Sequence, residues 1–412
     1  MSAADRLALL WSTACLSGAM GQWIGRVSGV PAVVALLAIG LLMGHAGLNL
    51  IRPEELGQGL KPLVGLLVSL VLFDGGLTLR LAGSDERRTV AQVVAIRSVL
   101  GLAGGAALAH ALAGMAWPLA LVFGAIALST GPTVVNSLVR QMRLPPLLGQ
   151  VLEAEGLILE PFAAVLALLL VQSALGDVHG WRELAPRLAL RFGGGVAAGA
   201  ATGWLLAEAL RRLPEEREAD GLRLQLTLGV LFVLFSGSEA LLPESGLPAA
   251  VSAGVLVGWR LEGEASQLEA RISELAQLAI TVLFPLLAAD LSWSELSPLG
   301  LGGVATVLAL MALRLLVVQL ASLGLPLDGR ERLLLGWVAP RGIVSAAVAS
   351  LFALDLEAAG VAGASTLKGL VFLTILLTVG LQGSTAPWLA QRLGLSLPLE
   401  APGEAGSDSE VS

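Results

Sequence analysis

The side chains best suited to chemistry lie in an apolar run at 146–173, within Leu152-Glu153-Ala154-Glu155-Gly156-Leu157-Ile158-Leu159-Glu160-Pro161. Ionisable groups deep in such a run are costly and are functional candidates by default. At roughly 100° per helical residue, Glu153, Gly156 and Glu160 share one face, while Glu155 points about 140° away from Glu160. The two deep carboxylates therefore have different tasks. Glu155 needs a counter-charge, because an unpaired buried charge is strongly destabilising, and Arg341 is the arginine best placed to supply it. Glu160 has no arginine on its own helix and precedes Pro161, which frees the Leu157 carbonyl. A carboxylate beside loose carbonyls can hold a cation. Away from water it is neutralised by a proton or by a metal ion, and the two compete. The plainer reading of Glu160 is a protonated or paired helix-packing residue. Glu153, on the same face nearer the start of the run, would line the approach.

Two other runs, 116–139 and 331–354, are broken in matching places, at Ser129-Thr130-Gly131-Pro132-Thr133 and at Val338-Ala339-Pro340-Arg341-Gly342. Each proline deprives the carbonyl four residues back of its donor, Leu128 for Pro132 and Gly336 for Pro340. Lipid tolerates such backbone only where it is buried in protein or lines a cavity, and carbonyls freed near mid-membrane can bind a cation. Matching breaks in spans of opposite direction predict an inverted repeat whose broken helices meet at the midplane. A tolerated Gly-Pro kink is the simpler alternative.

The elements that must position these residues are membrane helices. The chain has 412 residues, 55% hydrophobic and 14% charged, with a mean hydropathy of +0.81. That is far below the usual quarter of charged residues, and it excludes a soluble enzyme with a membrane tag. Runs of suitable length number about thirteen, near 6–24, 30–50, 60–80, 89–114, 116–139, 146–173, 186–210, 222–242, 245–260, 270–290, 298–323, 331–354 and 366–393. Lys and Arg divide fifteen to six in favour of the odd-numbered connections and the C-terminal end. Basic residues stay on the cytoplasmic side, so the N-terminus is expected outside and the C-terminus inside. One transmembrane domain over 1–395 and a disordered acidic tail over 396–412 complete the expected organisation.

Other chemistries drop out. The net charge of −7 is partly in the tail, and nucleic acid is not an expected partner. One cysteine, Cys15, and three scattered histidines leave no disulfide within the chain and no zinc set. Ser236-Gly237-Ser238 has no histidine in its own or neighbouring spans, which argues against an intramembrane serine protease. Asp74 and Arg97 are placed closer to the interfaces, and Asp74-Gly75-Gly76 reads as a helix-end turn. Arg314 has two candidate partners, Glu239 and the broken-helix carbonyls, between which spacing does not choose. Gly195, Gly199 and Gly203 read as close helix packing.

Taken in order, Leu72-Phe73-Asp74-Gly75-Gly76-Leu77, Thr130-Gly131-Pro132-Thr133, the stretch from Leu152 to Pro161, Ala339-Pro340-Arg341-Gly342 and Leu381-Gln382-Gly383 resemble the sodium/proton antiporters of the cation:proton antiporter superfamily, in their thirteen-helix NhaP-type branch. The resemblance spans nearly the whole chain. It implies an all-α membrane protein with a core domain, including spans near 89–173 and 298–393, and a dimer domain, including spans near 6–80 and 222–290. It further implies a homodimer in the cytoplasmic membrane whose core moves like an elevator against the dimer part.

By the same resemblance, the ion-binding residues are Glu160, Thr130, Gly131 and Gly156, with Glu160 and Thr130 touching the metal ion and Glu155 and Arg341 forming a structural ion pair. Glu160 stands where the family has an aspartate, Gly131 where an aspartate is frequent, Gly156 where a serine can ligate, and Leu159 where an asparagine is usual. The activity implied is exchange of Na⁺, or K⁺ or Li⁺, for H⁺, with Glu160 alternately protonated and metal-bound and with no further cofactor. A single titrating acid implies one-for-one, electroneutral exchange. The alternative is a non-transporting membrane sensor or scaffold on the same fold.

Overall fold

A backbone without water can satisfy its N–H and C=O groups only within the chain, so apolar runs that enter lipid fold as helices. The computed structural model describes residues 3–80, 83–213, 217–262 and 266–397, and among them there is no strand. The expected acidic tail, from residue 398 on, lies outside the described residues. The α-helices in chain order are α1 (Ala3–Ser28), α2 (Ala32–Met43), α3 (Leu60–Thr78), α4 (Ser84–Ala113), α5 (Trp117–Ile126), α6 (Pro132–Met142), α7 (Pro146–Ala174), α8 (Trp181–Leu188) and α9 (Gly194–Arg211). There follow α10 (Arg217–Leu241), α11 (Gly246–Arg260), α12 (Ser266–Ala289), α13 (Trp293–Leu296), α14 (Gly300–Ala321), α15 (Gly329–Trp337), α16 (Ile343–Ala358), α17 (Ala364–Leu377) and α18 (Ser384–Leu393). Single π-helical turns, Ala189–Gly193 and Thr378–Gly383, join α8 to α9 and α17 to α18.

Among the described residues, seven helical stretches are individually long and apolar enough to cross a membrane. Of the other predicted runs, that at 6–24 falls on the 26-residue α1 and the rest on shorter or split helices, so a count of thirteen depends on adding these. The run at 116–139 divides into α5 and α6, and that at 331–354 into α15 and α16. α7 is the most enclosed of the seven, with 83% of its most apolar stretch buried. That burial explains why its acids matter. Elsewhere small residues bring backbones together: Gly254 of α11 lies against the Phe73 carbonyl of α3, and Gly199 of α9 against Ala249 of α11. Packing of this kind replaces the hydrophobic drive that lipid does not provide.

The broken helices cross. Between α5 and α6, and again between α15 and α16, the chain is unwound, and the Gly131 N–H donates to the Pro340 carbonyl at 3.0 Å. A Cβ on Gly131 would run into the Gly342 backbone, and one on Gly342 would sit 2.5 Å from the Gly131 Cα and 2.8 Å from Glu160 Oε1. Glycine stands at both places because the two backbones touch there.

Candidate functional site

The crossing aims the C-terminal ends of α5 and α15 and the N-terminal ends of α6 and α16 at one region. Carbonyl ends attract cations and N–H ends attract anions, and the side chains obey this division. Arg97 donates to the freed Leu128 carbonyl at 3.2 Å, and Arg341 to the Ser129 carbonyl at 2.5 Å. Arg314 donates to the Leu335 and Val338 carbonyls, both at 3.0 Å. The carbonyls at these helix ends are thus held by guanidinium groups, not left open for an ion.

The expected pair of Glu155 with Arg341 is not formed. Glu155 takes Arg314 in a two-pronged contact, 3.1 Å from Nη1 to Oε1 and 3.1 Å from Nη2 to Oε2, and it also pairs with Arg97. The reason is directional. Glu155 faces α4 and α14, away from the crossing, whereas Arg341 lies in the unwound stretch itself and finds its acceptor in a main-chain oxygen. Arg97, expected nearer an interface, is buried. Of the two candidates for Arg314, the broken-helix carbonyls are the ones it meets. Glu239 instead accepts the backbone N–H groups of Glu244 and Gly246 at 2.8 and 2.9 Å.

Glu160 is 2% exposed, and its Oε1 has no hydrogen-bond partner. Val344, in the first turn of α16, faces it across a shared cavity. No arginine pairs with it among the described residues. It lines a small chamber with Ile126, Ser129, Val344 and Ser345, whose space for the centre of a water-sized particle is about 10 Å³, the order needed for a single water. The Ser129 and Ser345 hydroxyls, 2.5 Å apart, are the oxygens that hydropathy did not single out. Thr130 is buried with an unpartnered hydroxyl, but it stands over Gly156, one helical turn from Glu160. A Cβ on Gly156 would lie 3.1 Å from the Thr130 carbonyl oxygen and 3.4 Å from its hydroxyl. Gly131 contributes backbone only, at the crossing. Glu153 is half-buried and is not among the residues lining the Glu160 chamber.

Two cavities approach from opposite ends of α3. One, of about 200 Å³, is polar and lined by Asp74, Pro132, Asn136, Arg140, Ser273 and Gln277 among others. Asp74, read from the sequence as a helix-end turn, accepts a 2.5 Å hydrogen bond from Ser273 in it. The other, of about 320 Å³, runs along Lys61 to Val68 and meets Glu239, Glu244, Val344 and Val348. Val344 and Val348 also line the Glu160 chamber. In the turn joining α10 to α11, burial pushes the Glu244 carboxyl up to about 7, with the neighbouring Glu239 charge adding to it.

The family model for transmembrane sodium/hydrogen exchangers matches residues 12–392. The chain belongs to that family. Among curated relatives of this exchanger-family chain is a K(+)/H(+) antiporter NhaP2 of Shewanella sp. (strain MR-4), 27% identical over 96% of this chain and 69% of its own length. Another is the Na(+)/H(+) antiporter NhaH of Halobacillus dabanensis, 24% identical over 90% of this chain and 94% of its own. The fold matches the sodium proton antiporter MjNhaP1 of Methanocaldococcus jannaschii at pH 8 with a TM-score of 0.83. That match has 22% identity and covers 95% of this chain and 99% of the other.

Proposed function

We propose that the chain exchanges a monovalent cation for a proton across the cytoplasmic membrane, with Glu160 as the group that carries one or the other. The observation that carries this reading is a buried carboxylate oxygen without a partner, free of arginine, in a water-sized chamber between two unwound helices. Ser129, Ser345 and Thr130 supply nearby oxygens, and the N-terminal end of α16 faces the same chamber. The K(+)/H(+) and Na(+)/H(+) antiporters among its relatives support both Na⁺ and K⁺ as cargo. One such carboxylate moves one charge in each direction, so the exchange is electroneutral.

The two cavities support alternating access. Both lie along one seam, with α3 on one wall and either α6 or α16 on the other. Sliding the helices that carry Glu160 along α3 would open one approach and close the other. In this reading the sliding part is the core domain, the part containing α3 is the dimer domain, and two copies associate through the latter. The distribution of Lys and Arg supports an outside N-terminus and a cytoplasmic C-terminus.

The test is ion-driven dissipation of a pH gradient in everted vesicles with Na⁺, K⁺ and Li⁺ in turn. Wild type dissipates the gradient with at least one cation, and Glu160→Gln, folded, does not. A Glu160→Gln protein that still exchanges overturns the role of Glu160. Wild type inert to every alkali cation points to the sensor reading instead.

A further inference from the structure

On the wall of the larger cavity two acids stand in different states. Both oxygens of Glu239 accept backbone N–H groups of the turn between α10 and α11, so Glu239 holds that turn. Glu244 sits in the left-handed region at φ +66°, a conformation that strains an ordinary residue and that glycine adopts freely. Its side chain is 9% exposed and lines the cavity. Among the described residues its carboxylate has no hydrogen-bond or ion-pair partner. Lys61 of α3 and Arg191 of the π-helical turn before α9 act on it only at a distance, against the like charge of Glu239. A buried carboxylate in this position calls for a neutralising cation.

We propose that Glu244, backed by Glu239, forms a second binding site for a monovalent alkali cation, through which the ion reaches or leaves the Glu160 chamber past Val344 and Val348. Lys61 and Arg191 match the two carboxylates in number, but neither pairs with Glu244. A monovalent ion on the unpartnered carboxylate adds one charge to this set, whereas a divalent ion overshoots by two. The carboxylates supply hard oxygen ligands, which suit alkali metals better than an organic ammonium group, and the apolar walls beyond them would discourage a strongly hydrated ion from settling deeper. The loading role rests on the exchange reading above; the existence of the site does not.

The test is calorimetric titration of the purified full chain at pH 8 with NaCl, KCl, CaCl₂ and choline chloride at constant ionic strength. The proteins compared are wild type, Glu160→Gln, and Glu160→Gln combined with Glu244→Gly. Glycine is at ease at this φ, so the turn survives the loss of the carboxylate, and Glu244→Gln on the same background gives a second version that keeps the side-chain volume. The expected result is one saturable Na⁺ or K⁺ component retained in Glu160→Gln and lost in both combined variants, with none for choline. A component that survives removal of the Glu244 carboxylate overturns the site, as does its absence from Glu160→Gln or saturation by Ca²⁺ alone. Failure of the exchange reading is seen separately, as gradient dissipation by Glu160→Gln.

Discussion

Glu155 is an anion between two buried arginines, and its neighbours show what each charge is for. Arg97 and Arg314 each bind both Glu155 and the loose carbonyl end of a broken helix, so one carboxylate fixes the two guanidinium groups that hold those ends. Removing it would leave two cations buried without their counter-charge. Glu155→Ala is expected to lower stability by about 3–5 kcal/mol, the usual cost of breaking a buried pair, measured as a loss of melting temperature in detergent. Arg341 has a separate acceptor, the Ser129 carbonyl. In double-mutant cycles, the coupling of Glu155 to Arg341 should therefore be well below that of Glu155 to Arg314. An equal coupling would restore the pairing that helix-face geometry alone suggested. The sequence did isolate Glu160 from Glu155, because the angle between two positions on one helix is a local property. It could not choose among arginines, because the partner of Glu155 lies 159 positions away and is selected by which helices pack together.

At the scale of elements, the site depends on two helices being broken at the same depth and touching. The prolines announce the breaks, but the contact requires Gly131 and Gly342, each without room for a Cβ. Gly131→Ala should force the crossing apart. Overpacking costs about 1–3 kcal/mol where side chains can yield, and here the obstacle is backbone. Exchange should be lost and the melting temperature lowered, whereas Gly221→Ala, where a Cβ meets nothing within 4 Å, should leave both intact. If Gly131→Ala behaves like Gly221→Ala, the crossing is not as tight as described. The same contact explains why this chain has glycine where its resemblance to the NhaP-type branch suggests aspartate. A side chain at 131 would need the other broken helix to move away.

At the scale of the whole molecule, the two cavities on either side of the Glu160 region follow one seam along α3, and their chemistry differs. The polar one ends at Pro132, and the more apolar one ends at the valines that also wall the Glu160 chamber. If transport is one-for-one, the rate of gradient dissipation should not change when valinomycin clamps the membrane potential at different values; a rate that follows the potential would mean that a second acid releases its proton. Stability should also report Glu244. Burial, then Glu239, raise its carboxyl from 4.5 to about 7, against weaker opposing effects of Lys61 and Arg191. The folded state thus holds this proton more tightly than the unfolded state. Linkage then lowers stability as pH rises from about 4.5 through 7, with no further loss from this group above that. In choline buffer, wild type should lose more melting temperature between pH 5 and pH 8 than Glu244→Gln, and parallel curves would refute the shift.

Composition, run length and the positions of prolines and deep acids were enough to specify a helical membrane protein, two matched helix breaks and one carboxylate set apart from the others. These are consequences of the bilayer as solvent, which acts on each segment separately. Only the tertiary structure decided that arginines, not ions, occupy the loose carbonyl ends, that Ser129 and Ser345 share the chamber with Glu160, and that Glu244 faces a cavity without a partner. Each of those outcomes depends on contacts between helices distant in sequence, where the energy of a buried polar group is fixed by what packing brings within hydrogen-bond reach and by nothing in its own neighbourhood along the chain.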